Sequence, residues 1–240
     1  MTSIEATELF VRTLAGVAMQ NEKYFADLDG VCGDGDFGIS LASGFSKVME
    51  QWDALDRSTP GAMLKSVSMT IASRVGGVSG AIWGTAFLRA SITAGAKQDL
   101  TPDDVVAMLS AATEGMKKRG QSDLGDKTLL DAYVPAVEAF ARVQREGGST
   151  AQAIQAASVV ARQKTEEIKP WIAKRGRASY TGERSCGTYD AGSIAVAMMA
   201  EQLAEVWGQG LPLPGGASDE EVRERSEAVR ARDVEGNRAR

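Results

Sequence analysis

Apolar residues recur at three- and four-residue spacing along almost the whole of this 240-residue chain, and that pattern governs what it can fold into. Leu41, Phe45, Val48 and Trp52 share one helical face. Leu64, Val67, Ile71 and Val75 share another, and Gly76-Gly77 then stops the helix. The stretch TPDDVVAML reads as a helix start, with Thr101 as N-cap, Pro102 at the first helical position, and Asp103 and Asp104 facing the positive helix end. That helix is expected to run to about Gly120. Another is expected from Lys127 to about Glu146, with Leu130, Val134, Val137 and Phe140 inward and Pro135 as a kink. An alanine-rich run from Ser149 ends before Pro170. Ile194, Ala197, Met198 and Leu203 line a last core helix. Alternating strand patterns are nearly absent. The expected class is all-α, with about eight amphipathic helices joined by glycine-rich loops.

The helical pattern fills residues 1–210. GLPLPGGASDEE reads as a linker into a charged C-terminal tail, residues 211–240, where Ser218 and Glu221 have the spacing of a capping box for a short helix; the competing reading of the tail is a solvated helix or a disordered end. Hydrophobic content is 43% and charged content 25%, as in an ordinary globular protein. The net charge of −5 argues against nucleic acid or an anionic membrane as partner. The N-terminus lacks the basic-then-apolar order of a signal peptide, and no apolar run reaches the roughly 18 residues of a membrane span, so a cytoplasmic protein is expected. Cys32 and Cys186 give neither a disulfide framework nor a zinc spacing. There is no histidine. That excludes Ser-His-Asp and Cys-His mechanisms, and a His-ligated metal, within this chain.

The chemistry concentrates in GDGDFG, residues Gly33 to Gly38. Its glycines spell G-x-G-x-x-G, but a dinucleotide fingerprint needs a preceding strand and a βαβ unit, and this chain has neither pattern. Asp36-Phe37-Gly38 spells the kinase DFG, but H-R-D is impossible without histidine. An EF-hand fails because the fifth and twelfth positions counted from Asp34 are Gly38 and Phe45. At GQSDLGDKT, Asp126 breaks the P-loop spacing. What remains is three acids, Asp29, Asp34 and Asp36, within eight residues, separated by glycines that let the backbone fold tightly. Converging carboxylates repel unless a cation sits among them, and hard oxygen ligands select Mg²⁺ or Ca²⁺. The competing reading is an N-cap turn with solvated acids.

Three further loops complete a set of parts. GGVSGAIWG, Gly76 to Gly84, is a glycine-rich turn opening a helix, where Ser79 and free amides suit a phosphate. KRGRASYTGERS carries Lys174, Arg175, Arg177 and Arg184, and arginine suits phosphate bidentately. GTYDAGS places Asp190 at a helix start. Together these make a parts list for a Mg-nucleotide site.

In this order, the blocks LDGVCGDGDFG, GGVSGAIWGTAF, GDKTLLDAYVPA and GRASYTGERSCGTYDAGS resemble the DhaL family, the nucleotide-binding L subunit of dihydroxyacetone kinase. The resemblance spans roughly residues 8 to 208. It implies a barrel of eight antiparallel amphipathic helices with the nucleotide in the loops at one end. It implies two Mg²⁺ held by Asp29, Asp34 and Asp36, with Arg177 joining these acids as the catalytic set. It implies ADP or ATP phosphates cradled by Phe37, Gly38, Ile39 and Ser40 and by Val78 and Ser79. Gly120, Leu129, Arg177, Asp190, Ala191 and Gly192 would line the rest of the nucleotide site. The implied activity is phosphoryl transfer to a short ketose, dihydroxyacetone or a four-carbon relative. The implied partners are a DhaK-like subunit that holds the ketose on its own histidine and a phosphotransferase-system M subunit, and a homo-oligomer is compatible. The chain departs from the family pattern at Phe37, where histidine is usual, at Val78, where serine is usual, and at Gly187 to Gly192, where GHQDPG is frequent. These departures raise an alternative: a non-catalytic nucleotide-binding regulatory paralogue.

Overall fold

The computed structural model describes residues 1–74 and 77–208, with side chains for all of these except residues 74 and 77–79. The calls on Val75 and Gly76, on the linker, and on the Ser218–Glu221 box in the tail lie outside the described residues. Among the described residues there are α-helices and 3-10 turns and no strand. In chain order the helices are α1 (Ser3–Gln20), α2 (Glu22–Gly30), α3 (Phe37–Glu50), α4 (Pro60–Arg74), α5 (Gly77–Ala94), α6 (Pro102–Gly120), α7 (Leu129–Arg145), α8 (Thr150–Ile168) and α9 (Ala191–Gly208). Two 3-10 segments, Trp52–Ala54 and Arg177–Ser185, lie between them.

Local chemistry explains most boundaries. α6 starts at a capping box between Thr101 and Asp104 with Pro102 in its first turn, and ends at Gly120, where Gln121 turns left-handed at φ 47°. α8 starts at a Ser149–Gln152 box and stops before Pro170. α7 starts two residues later than the sequence suggests. Lys127 is left-handed at φ 59°, so it cannot belong to the helix, and Thr128 caps it in a box with Asp131. The helix then runs unbroken through Pro135. Trp52 is buried on the Leu41–Phe45–Val48 face, but on a 3-10 turn after α3 has ended.

Each helix from α3 onward packs on the next in sequence, α1 lies against α3, and α9 returns to pack on α1. α2 lies across α3 and α9. The principal core runs through all of them, with Val11, Phe25, Phe45, Val48, Met63, Val67, Met116, Leu130 and Ile194 almost wholly buried. A smaller cluster of Phe140, Ala153 and Ile154 joins α7, α8 and the end of α9. One close approach matters for the site. A side chain at Gly38 would strike the Glu22 carbonyl and the Ala26 amide, so glycine lets the start of α3 lie directly on α2. That contact fixes where the acid loop between them sits.

Candidate functional site

Asp29 lies in the last turn of α2, and its carbonyl takes the Cys32 and Gly33 amides at 3.2 and 2.5 Å, which closes the turn. Gly35, at φ 76°, bends the chain back towards α3. The result brings one carboxylate oxygen each of Asp29, Asp34 and Asp36 within 4.8 Å of one another. Little of this set serves folding. Asp36 occupies the N-cap position of α3 without capping it through its side chain, and Asp29 reaches only the Phe37 amide, at 3.4 Å. Among the described residues, the one cation paired with them is Arg177, whose guanidinium meets Asp34 at 2.5 Å and Asp36 at 3.5 Å. Burial raises the Asp36 carboxyl above its ordinary range, and Asp34 and Asp29 raise it further against the pull of Arg177. Three acids facing one guanidinium leave a net charge of −2, a donor set that suits divalent cations with oxygen ligands.

The predicted residues divide into three groups. Asp29, Asp34, Asp36 and Arg177 form one cluster. Leu129 and the Asp190–Gly192 segment form another, since a Cβ on Gly192 would lie 3.0 Å from that of Leu129. Asp190 links the two clusters electrostatically. Burial pushes its carboxyl up to about 7; the Ser193 amide, at 2.6 Å, and Lys127 pull it down, while Asp131 and Asp29 push it up. The third group is spread out. Gly120 ends α6 against Ile82 of α5, and Val78 and Ser79 stand in the first turn of α5 with side chains outside the described set. In the first turn of α3, Ile39 is exposed and Ser40 half-buried, and the Gly38 and Ile39 amides have no intrahelical acceptor. The Phe37 ring turns away, packed edge-on against Phe25 at 6.1 Å and buried. It therefore offers the loop only its main chain. A separate cleft of about 910 Å³, lined by Arg89, Lys117, Arg119 and Arg175 among others, contains, of the residues the sequence pointed to, only Arg175 of the arginine-rich loop.

The loops also close on one another through contacts the sequence did not single out. The Cys32 thiol donates to the Arg184 carbonyl at 3.3 Å and lies 3.7 Å from the Thr188 hydroxyl, so the acid loop touches the segment either side of the exposed Cys186. Asp131 is buried and accepts the Gly125 and Thr128 amides at 2.6 and 2.8 Å. Lys127 is also buried, and its ammonium donates to the carbonyls of Lys169, Trp171 and Ser185 at 2.9, 2.9 and 2.5 Å. Asp131 had a local signal, the T-x-x-D spacing of a cap. Lys127 had none, because its acceptors lie more than forty positions away.

Comparison with known proteins agrees with this architecture. Residues 31–205 match the model of the DAK2 domain. The ADP-binding subunit DhaL of the PEP-dependent dihydroxyacetone kinase of Escherichia coli is 38% identical over 182 residues, which cover 76% of this chain and 87% of that one. The L-erythrulose 1-kinase of Mycolicibacterium smegmatis is 34% identical over 201 residues, 81% of this chain but only 34% of that longer enzyme. The crystal structure of the dihydroxyacetone kinase of C. freundii superposes with a TM-score of 0.62 at 24% identity, over 84% of this chain and 34% of that one, a likeness of fold. This chain, helical throughout its described residues apart from loops and turns, with a convergent acid loop and matched by a DAK2 model over most of its length and by kinase subunits over most of theirs, belongs to the DhaL family of kinase subunits and domains.

Proposed function

We propose that this chain is the nucleotide half of a two-part phosphotransferase: it binds ADP or ATP with Mg²⁺ and transfers phosphate to a short ketose held on a DhaK-like partner. The observation that carries this is the acid loop, three carboxylates brought together and left without a role in folding beside one arginine. The sequential packing of the helices, closed by α9 on α1, supports the eight-helix barrel with the nucleotide site in its end loops. In this reading Asp29, Asp34 and Asp36 hold two Mg²⁺, which neutralise phosphate charge when bound. The amides at the start of α3, from Phe37 to Ser40, and those of Val78 and Ser79 at the start of α5 receive phosphate oxygens. Gly120, Leu129 and Asp190 to Gly192 line the remainder of the nucleotide. Arg177 swings from the carboxylates to the transferring phosphate, a short move for a side chain that is 59% exposed.

The partner follows from the chain's own chemistry. With no histidine, it has no imidazole to hold a carbonyl or relay a hydroxyl proton, and the converged carboxylates are poor bases once they hold cations. Exposed apolar residues beside the acid loop, Val31 and Ile39, suit a docking face. Relatives in which the matching part is only a third of the chain carry the rest of the enzyme in one polypeptide. The relative named PEP-dependent makes recharging of bound ADP by a phosphotransferase-system M subunit the parallel expectation. No helix of the described residues is long and apolar enough to cross a membrane, which fits a cytoplasmic location.

The test is phosphorylated dihydroxyacetone or erythrulose formed by the chain alone, then with a cognate K subunit titrated in. Turnover is expected only with the partner, saturating as with a second substrate. Robust turnover by the chain alone would end the two-part reading. Mg-ADP binding with no turnover at any partner concentration would favour the regulatory paralogue, which the burial of Phe37 supports.

A further inference from the structure

The segment from Lys169 to Gly187 carries Arg177 at its middle, and its two ends are tied at one point. The Lys127 ammonium has three N–H donors and directs each to a main-chain carbonyl. Two acceptors, Lys169 and Trp171, lie where the segment enters, and the third, Ser185, lies where it leaves. Around this knot the Lys169 carbonyl also takes the Gly187 amide, the Ser185 hydroxyl takes the Ala173 amide, and the Asp126 carbonyl takes the Lys174 amide, each at 2.9 Å. Every contact lies at the base of the segment. Arg177 is free of them and reaches out to Asp34 and Asp36.

Lys127 is an unusual residue for this place. A lysine ordinarily keeps its ammonium in water, yet this side chain is 3% exposed, and its left-handed backbone turns it inward. Among the described residues it makes no ion pair with a carboxylate. Burial lowers its pKa, and Asp190 is the strongest charge acting the other way. Three carbonyls converging on a buried point without a donor would repel one another. The ammonium therefore makes the closed base of the segment tenable.

We infer that Lys127 is a positioning residue for phosphoryl transfer: by closing the base of the 169–187 segment it fixes where Arg177 stands against the acid loop. Lys127 contacts neither nucleotide nor cation in this scheme and acts through Arg177. The inference rests on the nucleotide reading of the site, so its experiment has one arm that needs no nucleotide.

That arm is amide hydrogen exchange on the unliganded full chain. Lys127→Met is expected to speed exchange of residues 171–187 at least tenfold and to leave α4 and α5 unchanged. The second arm is a double-mutant cycle on Mg-ADP affinity with Lys127→Met, Arg177→Ala and the pair. Lys127→Met is expected to weaken binding about tenfold in the native background and less than twofold when Arg177 is already alanine. Equal losses in both backgrounds, or unchanged exchange across 171–187, would overturn the inference. If Lys127→Met does not fold, Lys127→Arg takes its place in both arms, since a planar guanidinium keeps the charge but cannot aim three N–H groups at one point. A wild-type chain that fails to bind Mg-ADP would sink the nucleotide reading, and the exchange arm would then decide the anchoring alone.

Discussion

Two aspartate-bearing loops of this protein do opposite things. Gly33 to Gly38 holds three glycines and two aspartates, Gly125 to Asp131 holds one glycine, two aspartates and a lysine, and each leads into a core helix. In the second, every charge is consumed internally. Asp131 takes two amides, and Lys127 supplies three carbonyls. In the first, three acids converge and the fold uses almost none of their acceptor capacity. The difference separates structural charge from functional charge. A buried ionic group satisfied by its own backbone is part of the scaffold; a convergent set left unsatisfied is suited to something the chain does not supply.

The strongest way to break this comparison is to neutralise the acid loop. Asp34→Asn and Asp36→Asn should each weaken Mg-dependent ADP binding more than about a hundredfold, near 2.8 kcal/mol, while circular dichroism and the thermal midpoint stay where they were. Calorimetry with and without Mg²⁺ reads it, and unchanged affinity in both variants would sink the metal site. The converse change is Asp131→Ala. It should cost about 2 kcal/mol of stability in denaturant unfolding, because it strands two partly buried amides and leaves a gap where the buried carboxylate stood. Loss of nucleotide affinity without loss of stability there would mean that the two loops had been assigned the wrong roles.

Asp190 stands between the two cases, and its test is smaller. Its folded pKa is about 7 against an ordinary 3.8, so the native state holds a proton that the unfolded chain has released across that window. Stability should therefore fall as pH rises from about 4 to about 7 and level off above. Asp190→Asn, which can still accept the Ser193 amide, should flatten that slope by roughly 1 kcal/mol over the window. Identical slopes in denaturant melts of the two proteins would show that Asp190 is not held protonated. Smallest of all, labelling of the exposed Cys186 thiol should slow a few-fold when Mg-ADP is bound, since its neighbours Arg184 and Thr188 touch the acid loop through Cys32. Equal rates would place that contact outside the nucleotide's influence.

What the sequence determined by itself is local. The helical period, the capping boxes at Thr101, Thr128 and Ser149, and the stop before Pro170 are written within a turn or two of where they act. The convergence of Asp29, Asp34 and Asp36 was legible for the same reason, because glycines between acids within eight residues let the backbone fold tightly enough to bring them together. Tertiary structure decided the rest. The start of α7 moved because Lys127 takes a left-handed turn to reach carbonyls on the far segment. Phe37 went into the core because α2 set Phe25 beside it, although its place in the loop gave no sign of that. Arg177 meets Asp34 from a segment far away in sequence, whose base is tied to Lys127. Each of these outcomes depends on burial and on partners distant in sequence. Local periodicity reports which face of a helix is apolar; it does not report which other segment will arrive there.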